Sequence, residues 1–156
     1  MPDQCLPCDR ITQIKNGVNP YFVTELQTGY VVIGDHQFYK GYTVFLCKEH
    51  KTELHELEEN FRLMFLKEMS LVAEAEAVYK AFAPQKLNYE LLGNGDPHLH
   101  WHIFPRYKND PMPNKPVWQL EKSIRVAEST RPTKNELAEL KEKLSREITT
   151  LTRFWD

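Results

Sequence analysis

The sequence predicts an α+β domain: antiparallel strands with one long helix packed on them and an additional C-terminal helix. Three observations carry that expectation. Short runs rich in β-branched and aromatic residues are separated by turn residues. A long central stretch changes to helical period. Near the end, a helix-start signature precedes a single leucine-rich stripe.

The elements follow in order. Cys5-Leu6-Pro7-Cys8 reads as irregular, because Pro7 offers no backbone donor. Tyr21 to Leu26 and Tyr30 to Gly34 read as strands joined through Gln27-Thr28-Gly29, with Gly29 able to take positive φ. Tyr42 to Cys47 reads as a buried strand. From Glu53 to Phe82, residues such as Leu57, Phe61, Phe65, Val72, Ala75 and Tyr79 recur at helical spacing, and Pro84 stops the pattern. Leu87 to Leu92 returns to extended structure. Gly93-Asn94-Gly95-Asp96-Pro97 makes a turn, and His98 to Phe104 forms a further strand.

After Pro105 the chain is proline-rich and polar through Pro116, as expected of a surface loop. Thr133 and Glu136 form a T-x-x-E capping box, and Leu137, Leu140, Leu144, Ile148 and Leu151 line one stripe behind it. The expected organisation is a main domain over 1–110, a proline-rich and polar loop region over 111–132, and a C-terminal helix over 133–156. That helix is expected to pack on the same domain or on a dimer partner.

Composition narrows the function classes. Hydrophobic residues make up 41% of 156, enough for a core. A net charge of -2 gives no reason to expect a nucleic-acid polymer or an anionic membrane as partner. No apolar run is long enough for a membrane span, and the start lacks the basic and apolar regions of a secretory signal. Three cysteines, an odd number, argue for a reducing compartment, so a cytoplasmic location is expected.

The run His98-Leu99-His100-Trp101-His102 is the chemical centre. In a strand, alternate residues share a face, so the three imidazoles stand in a row opposite Leu99, Trp101 and Ile103. Burying the apolar side sets the register and holds the imidazoles on a rigid element. Neutral imidazole is a nucleophile near pH 7, and a neighbour can stabilise phosphate oxygens or protonate a leaving group. The row is also compatible with a zinc site or with a surface cluster. Half of the six histidines lie in these five residues, which disfavours chance.

His98-Leu99-His100-Trp101-His102-Ile103-Phe104-Pro105-Arg106 resembles the His-φ-His-φ-His-φ-φ signature of the histidine-triad (HIT) family. Gly34-Asp35, Gly41-Tyr42-Thr43-Val44-Phe45, Lys48, His50 and the strand before Asn94 occur in the order that the family shows, over about residues 5 to 108. The resemblance implies a five-stranded antiparallel sheet, a homodimer and nucleotide substrates attacked at the α-phosphate. It implies that His100 is the nucleophile of a nucleotidyl-imidazole intermediate. His102 would contact the phosphate and help the leaving group depart, and His98 would order the site. Asn94 is implied as a phosphate contact and Asp35 as a ribose contact. The chain departs from many relatives in having no Ser or Thr shortly before the triad.

By itself Cys5-x-x-Cys8 is half a zinc site, a redox pair or a plain surface pair. Some bacterial members of the family complete such a pair with two histidines. The resemblance therefore implies a structural zinc held by Cys5, Cys8, His50 and His98, and no organic cofactor. The expected function is hydrolysis of a dinucleoside polyphosphate or nucleoside phosphoramidate. Nucleotidyl transfer to a phosphate or sugar-phosphate acceptor, and a non-catalytic nucleotide-binding module, are the alternatives.

Overall fold

The computed structural model describes residues 4–77, 83–153 and 155. Five strands form one antiparallel sheet in the order β1-β2-β3-β5-β4, with β1 at Phe22–Glu25, β2 at Gly29–Ile33 and β3 at Thr43–Cys47. The other two are β4 at Lys86–Glu90 and β5 at His100–Arg106. Pro105 lies within β5, beyond the last pairing with β3 at Ile103, where the strand has only β4 as neighbour and its missing donor is tolerated.

Side-chain alternation divides the sheet into two faces. Val31, Ile33, Phe45 and Ile103 point to one side, where they pack with Phe65, Val72 and Ala75 of helix α2 (Glu59–Ala77). Phe45 and Phe65 stack with ring centroids 5.3 Å apart. Leu140, Leu144 and Ile148 of helix α4 (Lys134–Thr152) join the same core, so α4 packs on α2 and β1 of its own chain. The Thr133 hydroxyl accepts from the Glu136 amide and caps α4.

Several expectations need correction. The segment around Pro7 is not irregular: helix α1 spans Leu6–Lys15 with Pro7 in its first turn, where a missing N–H costs nothing. The stretch from Glu53 is not one helix. A 3-10 turn at Leu54–Glu56, closed by Glu56 reaching back to the Glu53 amide, is followed by extended Leu57 before α2 begins. Residues 78–82 of the expected helix lie outside the described residues.

Gly29 does not take positive φ. It is required by close approach, since a Cβ there would sit 2.4 Å from the Leu46 carbonyl oxygen and 2.6 Å from the Phe45 ring. The turn before it is held by the buried Glu68 carboxylate, which accepts from the Gln27 amide (2.8 Å) and from the Thr28 amide (2.7 Å) and hydroxyl. The 111–132 region is not a bare loop either. It carries 3-10 turns at Val117–Gln119 and Glu128–Thr130 and the short helix α3 (Lys122–Arg125). Among the described residues, no helix is long and apolar enough to cross a membrane.

Candidate active site and metal-ligand cluster

The sheet face opposite α2 carries two small apolar clusters with a gap between them. Ile11 of α1 packs on Tyr30, Val32 and Leu46 at one side, while Tyr39, Phe104, Val117 and Leu120 pack at the other. Between them opens a cavity of about 250 Å³. Its floor is built by cross-strand neighbours, since His100 faces Leu46 and His102 faces Val44 in the β3–β5 ladder. Leu6, Pro7 and Arg10 of α1 form one wall, and Trp118 and Arg125 form another.

Each triad imidazole has one ring nitrogen committed to a different partner. His100 Nδ1 lies 2.6 Å from the backbone carbonyl oxygen of His98. A carbonyl only accepts, so Nδ1 carries a proton, and in the neutral ring the lone pair is on Nε2. His102 Nδ1 lies 2.6 Å from the Tyr42 hydroxyl. Burial, and next the neighbouring His100, lower the His102 imidazole to about 4, so it is neutral near pH 7. The His100 and His102 rings meet edge to face with centroids 4.8 Å apart.

His98 precedes β5 and stands apart from this pair. Its Nε2 donates to the Cys47 carbonyl at 2.7 Å, which leaves Nδ1 unprotonated. That nitrogen faces Cys5, Cys8 and His50, and His98 is not among the residues lining the cavity. The ligand atoms of these four residues all lie within 4.8 Å of one another. The sulfur–nitrogen separations are 3.2 to 3.5 Å and the two Nδ1 atoms are 3.1 Å apart. A tetrahedral zinc with bonds of about 2.3 Å to sulfur and about 2.05 Å to nitrogen requires edges of about 3.6 and 3.4 Å. The donor set and its spacing therefore fit a zinc ion.

The local sequence explains how the four donors meet. Cys5 and Cys8 are three apart at the start of α1, so both project from one side of its first turn. Desolvation, and next the hydrogen bond with Cys5, push the Cys8 thiol up to about 11. A metal binding there would displace that proton.

Asp35 and Asn94, the two expected substrate contacts, fall in different places. Asp35 lines the cavity, but its carboxylate is paired with the Arg10 guanidinium at 2.5 Å. Asn94 is exposed on the turn before the triad and is not among the lining residues, whereas Asp96 is. Arg106 is buried and spent on structure. It pairs with Asp110 at 3.0 Å and donates to Asn88 and to the carbonyls of Lys115 and Met112.

Tyr42, Arg10 and Arg125 of the cavity were not singled out by sequence reasoning. Tyr42 alone carried a signal: it lies just before β3, two residues before Val44, which faces His102 across the ladder. Trp118 covers the cavity. It packs edge-on to His102 at 5.3 Å, donates to the Glu90 carboxylate and lies under Arg125 at 4.9 Å.

Comparison with known proteins gives a consistent result. A family model described as the HIT domain matches residues 19–109. A solved histidine-triad protein from Marinobacter aquaeolei is 25% identical, with a TM-score of 0.71 over 83% of this chain and 89% of that one. A Zn-bound histidine-triad family protein from Mycobacterium smegmatis is 17% identical, with a TM-score of 0.65 over 95% of each chain. A diadenosine triphosphate hydrolase from Plasmodium falciparum is 12% identical, with a TM-score of 0.51 over 88% of this chain and 80% of that one. No curated protein matches the chain by sequence.

Proposed function

The chain belongs to the HIT domain family, and from that premise we propose that it hydrolyses nucleotides at the α-phosphate through a covalent nucleotidyl-His100 intermediate. The substrate class is a dinucleoside polyphosphate or a nucleoside phosphoramidate. The observation that carries this reading is the 2.6 Å contact between His100 Nδ1 and the His98 carbonyl. It aims an unprotonated Nε2 at a cavity lined by apolar and aromatic side chains, as a nucleoside requires.

In the first step the Nε2 lone pair of His100 forms a bond to the α-phosphorus, and the bond to the leaving group breaks, a phosphate leaving with the electron pair and an amine leaving with that pair and a proton taken from solvent. In the second, water attacks phosphorus and gives up a proton to solvent, the phosphorus–nitrogen bond breaks, and His100 recovers its lone pair. His102 contacts the phosphate from the neighbouring position. Asp35 would contact the ribose while also pairing with Arg10, and Asn94, outside the cavity lining, would contact the phosphate from the turn before the triad.

Cys5, Cys8, His50 and His98 would hold a structural zinc, supported by the fit of the four donors. When bound, that ion supplies no step; it ties α1 to the approach to β5. A homodimer and a reducing, cytoplasmic location complete the reading. The exposed Tyr89 of edge strand β4, the exposed Leu92 just beyond it and the free cysteines support these two.

The test is turnover of a diadenosine polyphosphate and an adenosine phosphoramidate by the protein and by His100→Ala, followed as mononucleotide release. The variant should lose roughly a thousandfold or more. Equal activity in the two proteins, or none in either, overturns the proposal.

A further inference from the structure

We propose that Tyr42 is a positioning residue that holds His102 in a single tautomer, with its proton on Nε2 and facing the nucleotide cavity. The inference rests on the function proposed above, and it begins from the 2.6 Å contact between the Tyr42 hydroxyl and His102 Nδ1. Either atom can carry the shared proton. A phenol is a far stronger donor than a neutral imidazole N–H, and an imidazole nitrogen is a stronger acceptor than a phenol oxygen. The bond therefore runs from Tyr42 to Nδ1. Neutral imidazole has one N–H, so Nε2 must carry it.

Tyr42 is built to hold this position. Its ring lies flat on Phe104, with centroids 4.1 Å apart and planes 6° from parallel. On the Gly34 side there is no room: a Cβ at Gly34 would stand 2.1 Å from the Tyr42 ring. The Tyr42 carbonyl accepts from the Gly34 amide at 2.8 Å and from the Gln37 side chain at 2.9 Å. The hydroxyl is thus delivered to Nδ1 by a fixed ring on a fixed backbone. Burial keeps the phenol protonated, so it does not lose its donor near neutral pH.

The consequence is a division of labour between two neighbouring imidazoles. The His98 carbonyl forces the proton of His100 onto Nδ1, which frees Nε2 to attack. Tyr42 forces the opposite arrangement on His102, whose Nε2–H donates to the phosphoryl oxygens on which negative charge builds. No proton needs to leave either ring before the first bond forms.

The test combines nitrogen NMR of imidazole-labelled protein with kinetics of Tyr42→Phe, which removes the hydroxyl and keeps the ring stack. In the unmodified protein without substrate, His102 (assigned by its loss in His102→Gln) should show protonated Nε2 and a hydrogen-bonded, unprotonated Nδ1. Tyr42→Phe should move the Nδ1 signal and lower kcat roughly tenfold or more, with KM much less affected. A proton found on Nδ1 of the unmodified protein overturns the inference. So does a Tyr42→Phe variant with kcat within about twofold of the original. The first measurement needs no turnover and reads the tautomer in the unmodified protein. Absence of hydrolysis would sink the proposed function while the tautomer is still decided.

Discussion

Replacing His102 with glutamine should make the folded protein less sensitive to acid, because the buried ring resists protonation that the unfolded chain accepts. Desolvation, and next His100, lower the His102 imidazole from 6.5 to about 4. Between those two values the unfolded state binds more protons than the folded state, so stability falls as the pH falls through that window. Above about 6.5 both states hold the ring neutral and the contribution is constant. At about 1.4 kcal/mol per pH unit, the interval corresponds to about 3 kcal/mol. With a urea dependence of about 2 kcal/mol/M for a chain of this size, the midpoint should move by about 1.5 M. The assay is urea unfolding of the protein and of His102→Gln at pH 7 and pH 4. The unmodified protein should lose about that much more midpoint than the variant. Parallel losses in the two proteins would refute the argument that burial keeps this ring neutral.

Two further outcomes concern the buried Glu76 and the Cys/His cluster. Among the described residues neither carboxyl oxygen of Glu76 meets a hydrogen-bond donor, the nearby Thr43 hydroxyl donating to the Gly41 carbonyl, and burial holds the acid well above the carboxylate range. The unfolded chain ionises first, so stability is lost as pH rises above about 4.5. Glu76→Gln should be more stable than the original by about 1–3 kcal/mol at pH 8, with the gap narrowing at pH 5; a gap independent of pH contradicts this. For the Cys/His cluster, zinc at about a hundred times its dissociation constant should stabilise by about 2.7 kcal/mol, or roughly 5–10 °C in melting temperature. A Cys5→Ser, Cys8→Ser double variant should melt at a temperature indifferent to zinc, and an equal response in both proteins would exclude these ligands.

Much of the fold was legible because its strands are short apolar runs, and the alternation in the triad strand points Ile103 into the core. The row of histidines was legible for the same reason. What spacing does not contain is the second partner of each ring. His98 shares its parity with His100 and His102, yet it precedes β5 and turns to cysteines 90 or more positions away in the chain. Helix α1 was missed because Pro7 looks like a breaker until its place in the first turn is known. Asp35 was singled out only through the family resemblance and does line the cavity, but its ion pair with Arg10 joins two elements with no local signal between them. Gly29 shows the limit most clearly, since its small size answers to a neighbouring strand and not to its own turn.

Helix α1 lies outside the stretch that the family model matches, yet it is a structural hub. Cys5 and Cys8 look toward the histidines, Pro7 and Arg10 look into the cavity, and Ile11 seals the helix onto the sheet. With Arg10 two residues beyond Cys8, the rotation of a single short helix sets both the donor positions and the ion pair on Asp35. The two proposed properties that look independent, metal retention by the Cys/His cluster and nucleoside selection in the cavity, would therefore share one mechanical degree of freedom. An insertion of one residue between Cys8 and Arg10 would turn the helix by about 100° and disturb both at once.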